Sequence, residues 1–139
     1  MPVVSGRFEV ETRGNGDVVD ITGAVSEQVS GSGVSSGTVT VFVPGATAGV
    51  TTIEFEPGLV EDVDEMFERL APRERDYHHN LRWHDGNGHA HVRASLLGPS
   101  LTIPFSQAKL ILGIWQQVVL VDFDNRARKR EMICQVMGD

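Results

Sequence analysis

Short apolar segments rich in β-branched residues, each bounded by glycine or proline, recur along the chain and limit what it can fold into. The clearest is Gly37–Val43, which carries valine and threonine in turn and ends at Pro44-Gly45. Comparable patterns predict further strands over residues 6–12, 50–55, 96–100, 101–104, 111–123 and 131–137. No dinucleotide-binding or P-loop glycine motif accompanies them. The pattern predicts an α+β fold that is predominantly β, as two layers or a sandwich, rather than an alternating parallel α/β fold.

Two or three short helices are expected beside these strands. Pro57 stands where a first helical turn tolerates proline, and apolar residues follow at three- and four-residue spacing up to Leu70. The acidic residues of this segment are interpreted as its solvated face rather than as a metal or partner site. A second helix is predicted to begin at Asp20 or Thr22 and to end at the turn 30–33. The turn signal at 14–17 predicts a hairpin before it.

Length and cysteine content exclude several classes of protein. A chain of 139 residues is about one domain, so residues 1–139 are interpreted as a single domain. No apolar run reaches the roughly 18 residues of a membrane span, and the first residues lack the pattern of a secretion signal. Cys134 is the only cysteine, which rules out a disulfide framework within the chain and predicts a cytoplasmic protein without a membrane partner.

The charge balance bears on nucleic acid as a partner. A formal net charge of -7 argues against general nucleic-acid binding, which depends on a basic surface. The basic run Arg126–Arg130 is the local exception. It is interpreted as a charged hairpin turn between two edge strands rather than as a phosphate or RNA site.

The histidines are the most informative polar residues. All 5 lie within residues 78–91. Imidazole is the commonest protein ligand for zinc, and a zinc site with an open position commonly takes three protein ligands. His89 and His91 share a face if the backbone is extended but lie roughly 160° apart on a helix, so an extended backbone favours chelation. Asp85 is expected to ligate the metal, to orient a histidine or to act as a general base. A polar loop that holds no metal is the alternative.

Five segments together carry a family resemblance. They are Val43–Glu54, Tyr77–Asn80, Asp85–His91, Ser95–Gly98 and Leu112–Gln116. In order and spacing the chain resembles the YjbQ family, also called the secondary thiamine-phosphate synthase family. The resemblance implies a compact fold dominated by a β-sandwich, assembly as a homotrimer, and a divalent metal at the histidine cluster. One departure is Gly45, where many members of the family have a histidine.

The resemblance, together with the chemistry of the residues, indicates which residues form the site. The expected metal ligands are His79, His89 and His91, and the metal is expected to be zinc, or magnesium if the substrate is a diphosphate. The expected catalytic carboxylates are Asp85 and Glu54, the latter sharing a strand face with Glu56. The expected substrate-binding residues are Thr47, Asn87, Arg93, Ser95, Trp115 and Gln116. For Trp115 a place in the core is the alternative to stacking on a substrate ring.

Three functions remain open on these residues. The first is the synthase-like joining of a pyrimidine methyl diphosphate to a thiazole phosphate, which the resemblance implies. The second is metal-dependent hydrolysis of a phosphorylated small molecule, in which a carboxylate accepts a proton from a metal-bound water. The third is a non-catalytic trimer that binds a metal or a ligand.

Overall fold

The computed structural model describes all 139 residues and contains eight strands and four helices. The strands are Val3–Thr12 (β1), Asp17–Asp20 (β2), Gly37–Phe42 (β3), Ala48–Ile53 (β4), Ser100–Ser106 (β5), Lys109–Leu110 (β6), Gln117–Asp122 (β7) and Arg128–Gly138 (β8). The helices are Thr22–Gly31 (α1), Pro57–Leu70 (α2), His78–Trp83 (α3) and Gly88–Leu97 (α4). The prediction of a predominantly β fold with a few helices is confirmed, and α2 has the predicted bounds.

The strands form two antiparallel sheets. The larger sheet has the order β1-β8-β3-β5-β6, and the smaller sheet has the order β2-β7-β4. The long strand β8 pairs with β1 on one side and with β3 on the other, so Cys134 lies opposite both Gly6 and Val41. The main core lies between the sheets and contains Val41 and Cys134 of the larger sheet and Leu120 of the smaller one. Burial raises the pKa of the Cys134 thiol to about 11, in keeping with its packing role.

A layer of helices covers the other face of the smaller sheet. Successive side chains of a strand point to opposite faces, so Leu120 enters the main core whereas Val119 and Val121 contact the helices. Phe67 of α2 packs edge-on against Phe123 with 4.8 Å between ring centroids. The small residues of α4 allow this helix to lie close to the sheet, where it contributes Ala90 and Ala94. The packing places the beginning of α4 beside the end of β7.

Two predicted hairpins are wrong because each pair of strands belongs to different sheets. The turn after Thr12 is present, with positive φ at Gly14, Asn15 and Gly16, but it leads from β1 of the larger sheet to β2 of the smaller one. The basic run likewise connects β7 to β8 across the sheets. Both β7 and β8 are paired on two sides, so the run does not protect an edge.

Two apolar segments differ from their predicted form. Leu96 and Leu97 end α4 instead of beginning a strand, because the helix continues until Gly98 departs from helical geometry. Residues 111–116 form a loop, and the strand predicted over 111–123 is confined to β7.

None of the four helices has the length and apolar character that a membrane-spanning helix needs.

Candidate functional site

A polar cleft of about 510 Å³ opens at one end of the smaller sheet. The antiparallel register pairs Ala48 with Asp122, so the beginning of β4 lies beside the end of β7. Residues from three segments of the chain, 44–47, 85–91 and 124–130, line the cleft. They are Pro44, Gly45, Ala46, Thr47, Asp85, Asn87, His91, Asp124, Asn125, Arg126, Arg128 and Arg130. Among the predicted site residues, Thr47, Asp85, Asn87 and His91 are therefore brought together.

A buried network of charges forms the floor of this cleft. Arg130 donates from Nε to Oδ2 of Asp122 at 2.7 Å and from Nη2 to Oδ1 at 2.8 Å, so the pair is bidentate. Asp122 is 0% exposed and also accepts a hydrogen bond from Thr12. Nη2 of Arg130 donates to the hydroxyl of Thr47 at 2.7 Å. The network ties β8 of the larger sheet to β7 and β4 of the smaller one.

Asp124 joins this network to the open cleft. Its Oδ2 accepts hydrogen bonds from Thr47 at 2.9 Å and from Arg128 at 2.7 Å, whereas its buried Oδ1 has no partner within the chain. Burial alone would raise the pKa of the Asp124 carboxyl, but polar contacts from Thr47 and Asn87 and the Arg128 guanidinium lower it below its ordinary value. Asp124 is therefore ionised at neutral pH, and its Oδ1 is a buried, charged oxygen without a partner in the chain.

Helices α3 and α4 place two of the predicted histidines together. A left-handed residue, His84, ends α3, and Oδ1 of Asp85 accepts from the backbone N–H of Asn87 at 3.1 Å, which shapes the turn into α4. The rings of His79 and His91 then lie 4.3 Å apart between centroids. Nδ1 of His79 lies 3.5 Å from Oδ1 of Asp85.

The surroundings of His91 favour its neutral form. Burial lowers the pKa of His91, and the neighbouring His79 lowers it further, while Asp85 and Asp124 act in the opposite direction. Because the net shift is downward from 6.5, the ring is mainly neutral at pH 7 and able to accept a proton.

The third predicted ligand, His89, lies on the other side of α4. The backbone from residue 88 is helical, not extended, so the side chains of His89 and His91 diverge. His89 is 4% exposed, and neither ring nitrogen has a hydrogen-bond partner. Burial and then the charges of Arg93 and Arg73 lower the pKa of His89. No group of three His, Cys, Asp or Glu side chains is placed to hold a metal ion, so one chain does not assemble the predicted three-histidine set.

Two further predicted residues of α4 lie outside the cleft. Arg93 is buried, donating from Nε to the carbonyl of Ala71 at 2.9 Å and from Nη2 to Glu68 at 2.7 Å. Its guanidinium therefore joins α4 to α2 and does not line the cleft. Ser95 is exposed, and its hydroxyl donates to the carbonyl of Val92 at 2.8 Å.

The remaining predicted residues lie at the opposite end of β4. The six residues of this strand span roughly 20 Å at about 3.3 Å per residue, which separates Glu54 from Thr47. Glu54 and Trp115 line a different cleft, and Gln116 donates to Thr52 at 3.1 Å beside it. Trp115 is 70% exposed, so a place in the core is wrong for this residue.

Two carboxylate features prove to be separate from the polar cleft. Glu56 is the N-cap of α2, and hydrogen bonds from the backbone of Gly58 and Leu59 lower the pKa of its carboxyl. A larger cleft of about 700 Å³ lies between the turn at 14–17 and α2, with Asp64 among several carboxylates in its wall. None of the predicted site residues lines this larger cleft.

Comparison with known proteins identifies the family. The model of the family described as UPF0047 protein YjbQ-like matches residues 6–139. The chain belongs to the YjbQ family. A UPF0047 protein of Methanocaldococcus jannaschii is 32% identical over 134 residues, covering 96% of this chain and 94% of the relative. The UPF0047 protein YugU of Bacillus subtilis is 29% identical, covering 94% of this chain and 97% of the relative.

Solved structures of the YjbQ type share the fold. A YbjQ-like protein of unknown function from Sulfolobus solfataricus P2 superposes with a TM-score of 0.93 at 33% identity, covering 99% of both chains. A hypothetical protein from Aeropyrum pernix K1 gives a TM-score of 0.90 at 36% identity, covering 98% of this chain and 99% of that one. The expected sandwich of the YjbQ family is thereby confirmed.

Four charged residues of the cleft and its floor were not predicted from the sequence: Asp124, Arg128 and Arg130 in the lining, and Asp122 beneath it. Two signals were available in the sequence. One is the pair of carboxylates at the end of an apolar strand, and the other is the arginine at every second position of residues 126–130. Alternation places Arg128 and Arg130 on one face of β8, where they meet the carboxylates.

Proposed function

We propose that the polar cleft is the active site of an enzyme that hydrolyses a phosphorylated small molecule, with His91 as the general base. The observation that carries the proposal is the position of His91, a ring whose pKa is lowered by burial, in a cleft that also contains the unpartnered Oδ1 of Asp124. A buried carboxylate oxygen without a partner is costly, which is characteristic of a binding site. A histidine with a pKa below 7 is the side chain best suited to accept a proton at neutral pH.

The hydrolytic step uses these groups as follows. A ring nitrogen of His91 takes a proton from water while the water oxygen forms a bond to phosphorus. The bond from phosphorus to the leaving oxygen breaks, and that oxygen takes a proton from solvent. Arg126 and Arg128 line the cleft and would stabilise the negative charge on the phosphoryl oxygens. Asp85, 3.5 Å from His79, would hold that ring against His91.

A second candidate is the transfer reaction that the family resemblance implies, the joining of a pyrimidine methyl diphosphate to a thiazole phosphate. The arginines of the cleft wall favour it, because the departing diphosphate carries the electron pair of the broken C–O bond and requires cations around it. The new C–N bond forms at the thiazole nitrogen. His91 has no proton to accept in this reaction, so the two candidates differ in their dependence on that residue.

A divalent metal remains part of the proposal, and the donors of the cleft favour magnesium over zinc. Catalytic zinc commonly takes three protein ligands, whereas only two histidines, His79 and His91, lie together here, and only His91 lines the cleft. Magnesium needs only one or two carboxylates together with substrate phosphates. Oδ1 of Asp124 and the carboxylate of Asp85 would hold it. When bound, the ion would neutralise charge on the phosphate.

We expect the metal requirement to follow this donor set. Protein purified without an affinity tag should contain no stoichiometric zinc, and turnover lost on treatment with EDTA should return with Mg²⁺. Elemental analysis measures the zinc content, and a phosphatase assay measures the turnover. The control is His78→Gln, which changes an exposed histidine outside the cleft. About one zinc per chain that is lost in His91→Ala would instead indicate a metal bound by His91, and would contradict the role of His91 as the general base.

The homotrimer implied by the resemblance is also proposed here. Large apolar side chains are exposed in two separate places: Leu81, Trp83 and Leu96 on α3 and α4, and Ile111, Ile114 and Trp115 in the loop before β7. Contact between two different patches forms a closed ring of identical subunits when the rotation that relates neighbouring subunits closes. In such a ring, Glu54 and Trp115 of one subunit would lie near the polar cleft of a neighbouring subunit.

The reaction type is tested by supplying substrates of both candidates. We expect the protein to release inorganic phosphate from a panel of phosphate monoesters, and in water enriched in ¹⁸O the label should appear in that phosphate. Formation of thiamine phosphate from the two precursors, without release from monoesters, would favour the transfer reaction. Absence of both activities in the folded, magnesium-loaded protein would contradict the proposed function.

A further inference from the structure

One nitrogen of a buried guanidinium is left open to the cleft. Arg130 is 5% exposed, and its Nε and Nη2 atoms are held by Asp122 and Thr47. The third nitrogen, Nη1, donates to no protein acceptor. A guanidinium carries five N–H donors in a rigid fork, so the two hydrogens on Nη1 are positioned by the same contacts that hold the other nitrogens.

Gly45 lies directly against this nitrogen. A Cβ atom at position 45 would lie 2.8 Å from Nη1 and 3.9 Å from Cζ of Arg130. The end of an arginine usually moves aside at little cost, but this one is anchored by its fork with Asp122. Gly45 has no positive φ, so its backbone does not require glycine. The absence of a side chain instead leaves Nη1 accessible from the cleft.

The charges around Gly45 favour an anionic ligand. Asp122 is paired with Arg130 and Asp124 with Arg128 at 2.7 Å, so both carboxylates have a cationic partner. The guanidinium of Arg126 lines the same cleft and forms neither a salt bridge nor a side-chain hydrogen bond within the chain. Arginine binds phosphate through paired N–H donors with a geometry that a solvated ammonium lacks.

We propose that Gly45 is a specificity-determining position, which keeps Nη1 of Arg130 open to bind an oxyanion of the substrate, with Arg126 as the second cation. The oxyanion is assigned to a phosphoryl group rather than a carboxylate, because a tetrahedral phosphate has oxygens for both guanidinium groups. This inference rests on the proposed function only in that both concern the polar cleft. Oxyanion binding is measured without turnover, so it can be tested even if the cleft does not hydrolyse phosphate esters.

The test is an NMR titration of the ¹⁵N-labelled protein with inorganic phosphate at constant ionic strength, repeated with acetate. We expect phosphate to shift the Arg130 Nε–H resonance, and Gly45→Ala to weaken phosphate binding by about tenfold or more, the effect of one lost hydrogen bond to a charged group. The matched control is Gly113→Ala, where a Cβ meets only Gln116, at an ordinary 3.5 Å. It should bind phosphate as the unchanged protein does.

The outcomes separate the subsite from the function. Phosphate that leaves the Arg130 resonance unmoved, or that binds equally to Gly45→Ala, overturns the inference even if phosphate monoesters are hydrolysed. A shift caused by acetate but not by phosphate overturns the assignment of a phosphoryl group in favour of a carboxylate. If Gly45→Ala does not fold, the Arg130 resonance of the unchanged protein decides alone. Phosphate binding without any turnover supports the subsite and contradicts only the proposed reaction.

Discussion

Replacing Asp122 with alanine is expected to lower the free energy of unfolding by about 3–5 kcal/mol, the usual effect of removing one partner of a buried ion pair. Asp122 is 0% exposed and binds two nitrogens of Arg130, so its loss leaves a buried guanidinium without its counter-charge. The hydroxyl of Thr12 also loses its acceptor. Urea unfolding followed by circular dichroism measures the change.

Two further variants show whether the effect of Asp122→Ala comes from buried charge. Glu131 forms an exposed ion pair with Arg7 across β1 and β8, and Glu131→Ala should cost less than about 1 kcal/mol because exposed pairs contribute little. The double variant Asp122→Leu with Arg130→Met should recover part of the stability, because apolar residues of similar volume often replace a buried pair without loss. Equal costs for Asp122→Ala and Glu131→Ala would contradict the role assigned to the network.

Replacing His91 with glutamine is expected to lower kcat/KM for hydrolysis by about 10²–10⁴-fold, the usual contribution of a general base. The ring lies in the cleft beside His79 and Asp124, and glutamine keeps a polar side chain there but accepts no proton at neutral pH. The control is again His78→Gln, which should turn over as the unchanged protein does.

The pH dependence of the same reaction distinguishes a base from a structural residue. Since burial and His79 lower the pKa of His91 below 6.5, the neutral, active form persists to more acidic pH than for an ordinary histidine. Activity should therefore fall only as pH drops below 6.5 through that lowered pKa, and this acidic limb should be absent from His91→Gln. An acidic limb that survives in His91→Gln would assign the base to another residue.

The histidine segment shows how much of the site follows from local sequence. The clustering of His79, Asp85 and His91 within a few residues made their proximity predictable, and the structure places His79 beside both others, of which Asp85 and His91 line the cleft. The place of His89 was not predictable from spacing alone. Whether residues 88–97 form a helix depends on Ala90 and Ala94 packing against the smaller sheet, and this contact turns His89 away from His91.

The charged network shows the complementary case. Thr47, Asp122 and Arg130 are separated by up to 83 positions in sequence, and only the antiparallel pairing of β4 with β7 and the contact between the sheets bring them together. The basic run at 126–130 was visible as charge, but its role depends on the carboxylates that face it. Glu54 was grouped with the site by resemblance and Trp115 by its capacity to stack on a ring, and the length of β4 separates both from the cleft within one chain.

Elements whose signal lies in adjacent residues follow from the sequence. The helix Pro57–Leu70 follows from apolar spacing and a tolerated proline, the strand Gly37–Phe42 from its β-branched residues, and the YjbQ family from motifs that extend over nearly the whole chain. Three features required the folded chain: which strands are neighbours, on which side of α4 each histidine lies, and which carboxylate neutralises Arg130. Periodicity is set by adjacent residues. Strand pairing and the partners of buried charges depend instead on contacts between segments far apart in sequence, which pack against each other and exclude water from between them.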